Sequence, residues 1–278
     1  MTFLHCGKHR LSLDRPLIMG IVNLTPDSFS GDGLAGQVQR ALEHARAQLD
    51  AGADILDLGA ESTRPGIEPT SEAEELDRLL PVLDEVCRWG VPVSVDTYKP
   101  RVMAAALAAG ASMINDINGL RAPGALEVVA GSDCAVCLMH MQGEPRSMQK
   151  SPAYVDVLAE VGDFLAERVE TCIRAGIGRE RLVLDPGFGF GKTLEHNLAL
   201  FRGLERLVSG GLPLLVGVSR KSMLGAITGR PVGERLAASL AAAVVAAARG
   251  AAILRVHDVA ATRDALVVWA ALQQEQQA

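Results

Sequence analysis

The feature that constrains this chain most is a unit that occurs eight times: a short apolar run, a polar loop and a stretch long enough for a helix. The first run covers residues 17–22 and changes character at Asn23, where hydroxyl, acidic and glycine residues begin. Unbroken apolar runs of this length are typical of strands buried on both faces in a parallel sheet. The predicted strands cover residues 17–22, 54–60, 91–95, 112–114, 135–139, 182–184, 214–218 and 252–256.

The stretches between these strands are predicted to be helices. They cover residues 37–51, 72–89, 100–109, 125–130, 154–175, 194–207, 234–249 and 259–274. Eight strand–helix units in succession predict an α/β fold, a closed (β/α)8 TIM barrel. A doubly wound open sheet is the alternative, because it shares the same alternation of strands and helices.

The N-terminal segment does not follow the repeat. Residues 2–13 read as two short strands around a turn at Gly7, which predicts a β-hairpin outside the main sheet. No linker or change of composition divides the 278 residues, so we expect one domain over residues 1–278.

Composition limits the function classes. The net charge of −6 argues against general nucleic-acid binding, and no apolar run is long enough to span a membrane. The first residues lack the apolar core of a signal peptide, which favours a cytoplasmic protein. Five scattered cysteines suit a reducing compartment, and Cys134 and Cys137 are predicted to face opposite sides of one strand.

Polar residues follow the ends of the predicted strands. In a (β/α)8 barrel the active site lies at the carboxyl ends of the strands, where packing alone would favour branched apolar residues. A convergence of polar groups there therefore predicts a functional site. The polar residues at these ends are Asn23, Thr63, Arg64, Asp96, Asn115, His140, Asp185, Lys221, Arg255 and His257.

Sorted by charge, these residues predict two subsites. Asp96, Asp185 and Asn115 offer acceptors that suit a heterocycle with an amino-amide edge. The cationic residues Arg64, Arg255 and His257 suit a phosphate or diphosphate. Asn23, with the acids of its loop, supplies oxygen ligands of the kind that magnesium uses beside a diphosphate. Lys221 stands between the groups, and a Schiff-base lysine remains an alternative for it.

A glycine-rich segment at 186–193 resembles a nucleotide-binding P-loop. However, Pro186 stands where that motif requires its first glycine, and the glycine spacing does not match the dinucleotide fingerprint either. We interpret the segment as a tight glycine turn that lets its backbone, or Phe190, approach a ligand closely.

Several longer motifs, in order along nearly the whole chain, resemble those of the dihydropteroate synthase family of folate biosynthesis. They are GIVNLTPDSFSGDG (20–33), DLGAESTRPG (57–66), SVDT (94–97), INDING (114–119), MHMQGEPRSMQ (139–149), DPGFGFGK (185–192), GVSRKS (217–222) and RVHD (255–258). Long motifs in the family's order make the resemblance specific.

The resemblance implies a reaction and its site residues. Members condense 6-hydroxymethyl-7,8-dihydropterin diphosphate with 4-aminobenzoate, giving 7,8-dihydropteroate and diphosphate. It implies pterin binding by Asp96, Asn115, Asp185, Lys221 and Arg255, and diphosphate binding by Asn23, Thr63, Arg64, Arg255 and His257. It implies aminobenzoate binding by Thr63, Arg64, Pro65, Phe190, Lys221 and Ser222. The implied catalytic set is Asp96, Asp185, Lys221, Arg255 and His257, with Mg2+ at Asn23.

The resemblance also implies a homodimer and a target of sulfonamides, which mimic aminobenzoate. Because an aniline nitrogen is an unprotonated nucleophile at neutral pH, no general base is needed, and we hypothesise a dissociative substitution at the pterin methylene. Loops 25–33 and 62–67, polar and glycine-rich, are predicted to close as lids. The alternatives are a barrel methyltransferase acting on methyltetrahydrofolate, which has no use for Arg64, Lys221 and His257 together, and a non-catalytic pterin-binding paralogue.

Overall fold

The computed structural model describes residues 2–25, 33–62, 68–208 and 210–273, and strands and helices alternate through most of them. The strands are β1 (Phe3–Cys6), β2 (His9–Ser12), β3 (Leu17–Asn23), β4 (Ile55–Gly59), β5 (Val93–Asp96), β6 (Met113–Asp116), β7 (Ala135–Met139), β8 (Leu182–Asp185), β9 (Leu215–Val216) and β10 (Ile253–Val256). The helices are α1 (Gly33–Asp50), α2 (Glu72–Arg88), α3 (Pro100–Ala108), α4 (Ala125–Ala130), α5 (Val157–Arg174), α6 (Leu194–Arg202), α7 (Leu204–Val208), α8 (Ser222–Thr228), α9 (Leu236–Ala248) and α10 (Val259–Gln273).

Strands β3 to β10 form one parallel sheet whose order around the molecule follows the chain. The remaining edges meet where the Leu184 N–H donates to the Pro213 carbonyl oxygen at 2.9 Å, beside a parallel bridge between Leu184 and Leu214. Sequential order with joined edges is a barrel, whereas a doubly wound sheet reverses its strand order. The predicted TIM barrel is therefore confirmed.

The strand side chains divide into two apolar layers. Ile18, Leu56 and Ile114 are representative of the outward positions, which pack under the surrounding helices. Met19 and Ile55 belong to the inward set, which fills the lower interior of the barrel. Strand side chains alternate in direction, so Asp57, two residues after Ile55, and Asn23, four residues after Met19, also point inward. They lie nearer the carboxyl ends of the strands.

The predicted hairpin is present and covers the lower end of the barrel. β1 pairs antiparallel with β2, and its Leu4 and Cys6 are fully buried among the inward apolar residues. Cys6 Sγ donates to the Ser112 carbonyl oxygen at 3.3 Å, just before β6 begins. The hairpin thus closes the end of the barrel at which the strands start.

The structure changes some predicted bounds. α8 was not predicted, because we read residues 219–222 only as a polar loop. The predicted helix 194–207 is two helices that meet at Gly203, where a Cβ atom would lie 2.4 Å from Leu158 Cδ2. Strand β9 is shorter than predicted.

The cysteines behave as the strand period predicts. Cys134 packs in the outer layer, Cys137 faces the barrel interior, and both thiols are free. Within the described residues, no helix combines the length and the apolar character that crossing a bilayer would require.

Candidate active site

The upper rim of the barrel brings most of the predicted site residues together. Strand register aligns Asn23 with Gly59, Gly59 with Asp96, and Asp96 with Asn115. Asp185 ends β8 on the same side. Gly59 faces inward between two polar neighbours, and a Cβ there would lie 3.6 Å from Asp96 Cβ and 4.0 Å from Asn23 Oδ1.

Arg255 is the centre of the polar groups. Its Nε donates to Asp57 Oδ2 at 2.6 Å, and its Nη2 donates to Asp96 Oδ2 at 2.8 Å. Asn115 Nδ2 also donates to Asp57 Oδ2, at 3.3 Å. The stem of Arg255 lies over Gly217, where a Cβ would come within 3.7 Å of Arg255 Cβ. These contacts hold the guanidinium in one orientation across the barrel floor.

Asp57 is a site residue that the sequence reasoning missed. It is completely buried and its Oδ1 has no protein partner among the described residues. A signal was available: an acid within the apolar run of β4 is costly unless it is paired, and Arg255 is a cation within the equally apolar run of β10.

Burial and charge shift the pKa values of these groups. Burial raises the pKa of Asp96, and Asp57 adds to the effect, while Arg255 opposes it. Burial also raises the pKa of Asp185, against the attraction of Lys221. Burial alone would lower the pKa of Arg255, but Asp57 and Asp96 outweigh it and raise the value, so the guanidinium stays charged.

Lys221 lies at the start of α8, where it is the N-cap residue. Its Nζ donates to the Phe188 carbonyl oxygen and lies 4.4 Å from the centre of the Phe190 ring. Burial lowers the pKa of Lys221 to about 8, although Asp185 opposes the shift. The Lys221 ammonium therefore contacts the glycine-rich loop and also interacts electrostatically with the Asp185 carboxylate.

The glycine-rich segment is a tight turn, as interpreted from the sequence. Gly187, Gly189 and Gly191 all have positive φ, and a Cβ on Gly187 would lie 1.9 Å from the His140 carbonyl oxygen. The Gly187 N–H donates to Asp185 Oδ1 at 2.7 Å, which orients that carboxylate.

An apolar wall stands beside the polar floor. Ile117, Met139, Met141 and Met148 form one buried cluster, and the partly buried Phe190 packs against it together with Tyr98. Methionine and aromatic side chains make a flat, polarisable surface. An apolar wall next to carboxylate, amide and ammonium groups suits a planar heterocycle with a polar edge.

The remaining predicted residues are placed less centrally or are not described. His257 follows β10, and its Nδ1 lies 3.0 Å from Ser219 Oγ. Ser222 is exposed in the first turn of α8. Asn23 is half-buried at the end of β3. Thr63, Arg64 and Pro65, with most of the two predicted lid loops, lie outside the described residues.

A buried ion cluster holds both ends of the loop after β4. Lys99 Nζ donates to Glu61 Oε2 at 2.8 Å and to Glu75 Oε2 at 2.6 Å. Glu61 Oε1 accepts the Thr70 N–H at 3.0 Å, which ties residue 61 to residue 70. Sequence reasoning missed this cluster, because its members come from three separate segments.

Asn23, at the end of β3, is the residue predicted to hold magnesium. Within the part of the chain that the structure describes, no group of three or more His, Cys, Asp or Glu side chains could hold a metal ion. Magnesium in phosphate-transferring sites commonly keeps several waters and is held by one or two protein ligands plus the substrate's phosphates. The Asn23 amide oxygen fits such a site as one ligand.

A second concavity lies on the outside of the barrel between α1 and α2 and measures about 910 Å3. Its basic groups are already engaged: Arg46 stacks at 4.0 Å on Trp89, and Arg88 Nη1 pairs with Glu85 at 2.9 Å. No floor of convergent buried polar groups exists there, so the barrel mouth remains the candidate active site.

The chain resembles known proteins over almost its full length. The family described as pterin binding enzyme matches residues 19–257. The dihydropteroate synthase of Neisseria meningitidis serogroup B is 54% identical over an alignment of 273 positions, and the match covers 96% of this chain and 96% of the relative.

Two solved structures extend the comparison. Xanthomonas albilineans dihydropteroate synthase with 4-aminobenzoic acid is 50% identical with a TM-score of 0.93, covering 99% of each chain. Burkholderia cenocepacia dihydropteroate synthase complexed with 7,8-dihydropteroate is 49% identical with a TM-score of 0.90, covering 98% of this chain and 96% of that one.

Proposed function

The chain belongs to the pterin-binding enzyme family, and on that premise we propose how its residues work in a dihydropteroate synthase. The reaction joins 6-hydroxymethyl-7,8-dihydropterin diphosphate to 4-aminobenzoate and releases diphosphate. The carbon–oxygen bond of the pterin methylene breaks and a carbon–nitrogen bond forms. The amine loses one proton, and the diphosphate leaves with the bonding electrons.

The pterin is held by the polar floor. Asp185 and Asn115 accept and donate along its amino-amide edge, and Lys221 donates to its ring. Arg255, fixed by Asp57 and Asp96, lies against the ring face. The single observation that carries this assignment is the Arg255 guanidinium, because its pairs with the fully buried Asp57 and the half-buried Asp96 form a charged floor beside an apolar wall.

Expulsion of the diphosphate limits the reaction. The electron-rich dihydropterin carries positive charge as the carbon–oxygen bond breaks, which is the dissociative path, and the Asp96 carboxylate stabilises that charge electrostatically. Thr63, Arg64, His257 and Arg255 stabilise the departing diphosphate, and a well-placed donor of this kind contributes about 3 kcal/mol. Asn23 would hold Mg2+, and the metal would supply positive charge beside the diphosphate.

The aminobenzoate approaches the methylene from the loop side. Phe190 and the stem of Lys221 offer its ring an apolar contact, Ser222 lies near its carboxylate, and Thr63, Arg64 and Pro65 complete the subsite. Sulfonamides, which share the aniline group, bind in the same place. The amine needs no general base, because an aniline is already unprotonated at neutral pH.

Other properties are part of the same proposal. The hairpin shares a buried core with the barrel, which supports one pterin-binding domain over residues 1–278. The free thiols support a cytoplasmic enzyme. Exposed apolar side chains on α9 and α10, among them Val245, Val268 and Leu272, support a homodimer. Small-molecule substrates are its ligands; no nucleic acid or membrane is involved.

The experiment is a direct assay with labelled aminobenzoate, dihydropterin diphosphate and Mg2+, followed by separation of labelled dihydropteroate. We expect product from the wild-type chain and none from Asp185→Ala or Lys221→Ala. Asp133→Ala is the matched control, because Asp133 is exposed at the opposite end of the barrel. Circular dichroism checks the fold of each variant. Near-normal turnover in either site variant would contradict the assignment.

A further inference from the structure

Lys192 is a buried lysine that the proposed reaction does not use. Only 3% of the residue is exposed. Its Nζ lies 2.9 Å from the Gly187 carbonyl oxygen, 3.0 Å from the Phe190 carbonyl oxygen and 2.9 Å from His140 Nδ1. An ammonium has three donors, and each has an acceptor here.

The acceptors are arranged around Lys192 by the glycine-rich loop. Gly187, Gly189 and Gly191 adopt positive φ, which turns the Gly187 and Phe190 carbonyl oxygens toward one point. Oxygen atoms that converge in a buried position are costly unless a hydrogen-bond donor lies between them. Lys192 supplies that donor from within the loop's own sequence, and burial lowers the pKa of its ammonium to about 7, against the attraction of Asp185.

His140 completes the cradle as a neutral acceptor. Burial lowers the pKa of His140 to about 3, and Lys192 and Arg121 add to the shift. The ring is therefore uncharged at neutral pH, and its Nδ1 can accept from Lys192. His140 follows β7 at the rim, where the sequence predicted it, and its ring faces Lys192 inside the loop.

The other side of the same loop touches Lys221. The Phe188 carbonyl oxygen accepts from Lys221 Nζ, and the Phe190 ring lies 4.4 Å from that nitrogen. A Cβ on Gly189 would come within 3.3 Å of Lys221 Cδ, so the loop backbone is packed against the lysine stem. The loop thus separates two lysines, one enclosed by it and one resting on it.

We propose that Lys192 is a positioning residue: it holds the 187–191 loop in the shape that fixes the Lys221 ammonium for the pterin. The inference rests on the pterin-binding role of Lys221 in the proposed function. Lys192 cannot bind phosphate as a P-loop lysine would, because carbonyl oxygens and an imidazole enclose its ammonium.

The test is a double-mutant cycle on the full chain, with Lys192→Met, Lys221→Ala and the double variant. Calorimetry measures the dissociation constant of a dihydropterin that lacks its diphosphate. Lys150→Met is the matched control, because it makes the same chemical change on an exposed lysine. Denaturation curves report how much free energy of unfolding each variant loses.

We expect Lys192→Met to weaken pterin binding about tenfold, as for the loss of one charge-assisted hydrogen bond. In the Lys221→Ala background the same change is expected to cost less than about threefold, because coupled residues are not additive. If Lys192 only stabilised the fold, Lys192→Met would lower the free energy of unfolding, and its effect on pterin affinity would be the same in the wild-type and Lys221→Ala backgrounds.

Equal losses in both backgrounds, or unchanged pterin affinity in Lys192→Met, would overturn the inference. If Lys192→Met does not fold, Lys192→Gln runs through the same cycle with the same criteria, since its amide keeps two donors. Wild-type pterin affinity in Lys221→Ala would instead contradict the pterin-binding role assigned to Lys221.

Discussion

At the scale of single residues, buried charges in the barrel interior determine what the site can bind. Asp57, Asp96 and Asp185 are acids in a region where an isolated charge is costly, and Arg255 and Lys221 balance them. The protein itself fixes the arrangement, since two carboxylates bind Arg255. Preorganised charge of this kind favours a charge-separating reaction.

Asp57→Asn tests whether Arg255 depends on its buried partner. The amide keeps the shape but loses the charge, so we expect an unfolding free energy lower by about 3 kcal/mol, as when a buried pair is broken. We expect kcat/KM to fall about tenfold or more as the guanidinium shifts. Denaturant unfolding and steady-state kinetics measure the two effects.

The control for this substitution is Glu234→Gln in the exposed pair with Arg230, where both side chains are more than half exposed. Exposed pairs contribute little to stability, so this variant should unfold and react like the wild type. Wild-type kcat/KM in Asp57→Asn would show that Asp96 alone suffices to orient Arg255.

Lys221 predicts a pH dependence. Its pKa is lowered to about 8, so the ammonium form predominates below pH 8 and is lost above it. We expect kcat/KM to fall as the pH rises through about 8. In Lys221→Arg, whose guanidinium does not lose its proton, the alkaline fall should disappear from the profile of whatever activity remains. An unchanged alkaline fall in that variant would assign it to another group.

At the scale of elements, local sequence explains most of the secondary structure. α2 begins at a capping box in which Ser71 and Glu74 satisfy each other's backbone N–H groups, so a signal within four residues fixes where the helix starts. α8 was missed because its seven residues follow a polar loop without a side-chain cap. Short elements of this kind depend on their packing partners.

The glycine-rich loop gives a prediction at this scale. Gly187 has a φ of 69° and no room for a Cβ, whereas Gly229 has a φ of 70° and nothing within 4 Å. Gly229→Ala should therefore cost only the backbone strain, about 1 kcal/mol. Gly187→Ala should lose more stability and most activity, because the clash moves the loop that carries Phe190.

Chemical denaturation and turnover of the two glycine variants are the measurements. Equal losses of unfolding free energy in both would show that the close contact with the His140 carbonyl oxygen relaxes without cost. Equal turnover would show that the loop does not need its exact position.

At the scale of the whole molecule, the barrel has one chemically distinctive end. The hairpin covers the lower end with Leu4 and Cys6, and the polar floor occupies the upper one. α9 and α10 pack on each other and expose apolar side chains: Leu236, Val245, Val267, Val268 and Leu272. These exposed apolar side chains on two neighbouring helices are the feature on which the proposed homodimer rests.

Light scattering tests the homodimer. We expect a mass twice that of the 29.3 kDa chain, and a monomer for the double variant Val268→Glu, Leu272→Glu, because each glutamate would have to be buried unpaired. Val155→Glu is the control, since Val155 is fully exposed before α5. A monomeric wild type would contradict the proposed dimer, and an unaffected dimer in the double variant would place its interface elsewhere.

The sequence by itself determined the barrel and the end that carries its polar residues. Apolar runs of strand length, each ending in polar residues, specify parallel strands, and right-handed crossovers bring all their carboxyl ends to one rim. The tertiary structure alone decided which of these groups meet. Arg255 pairs with Asp57 and Asp96, which are 198 and 159 residues away in the sequence. Lys192 contacts His140, which is 52 residues away. Local pattern fixes direction and periodicity, but ion pairing depends on distances in space that only the closed barrel sets.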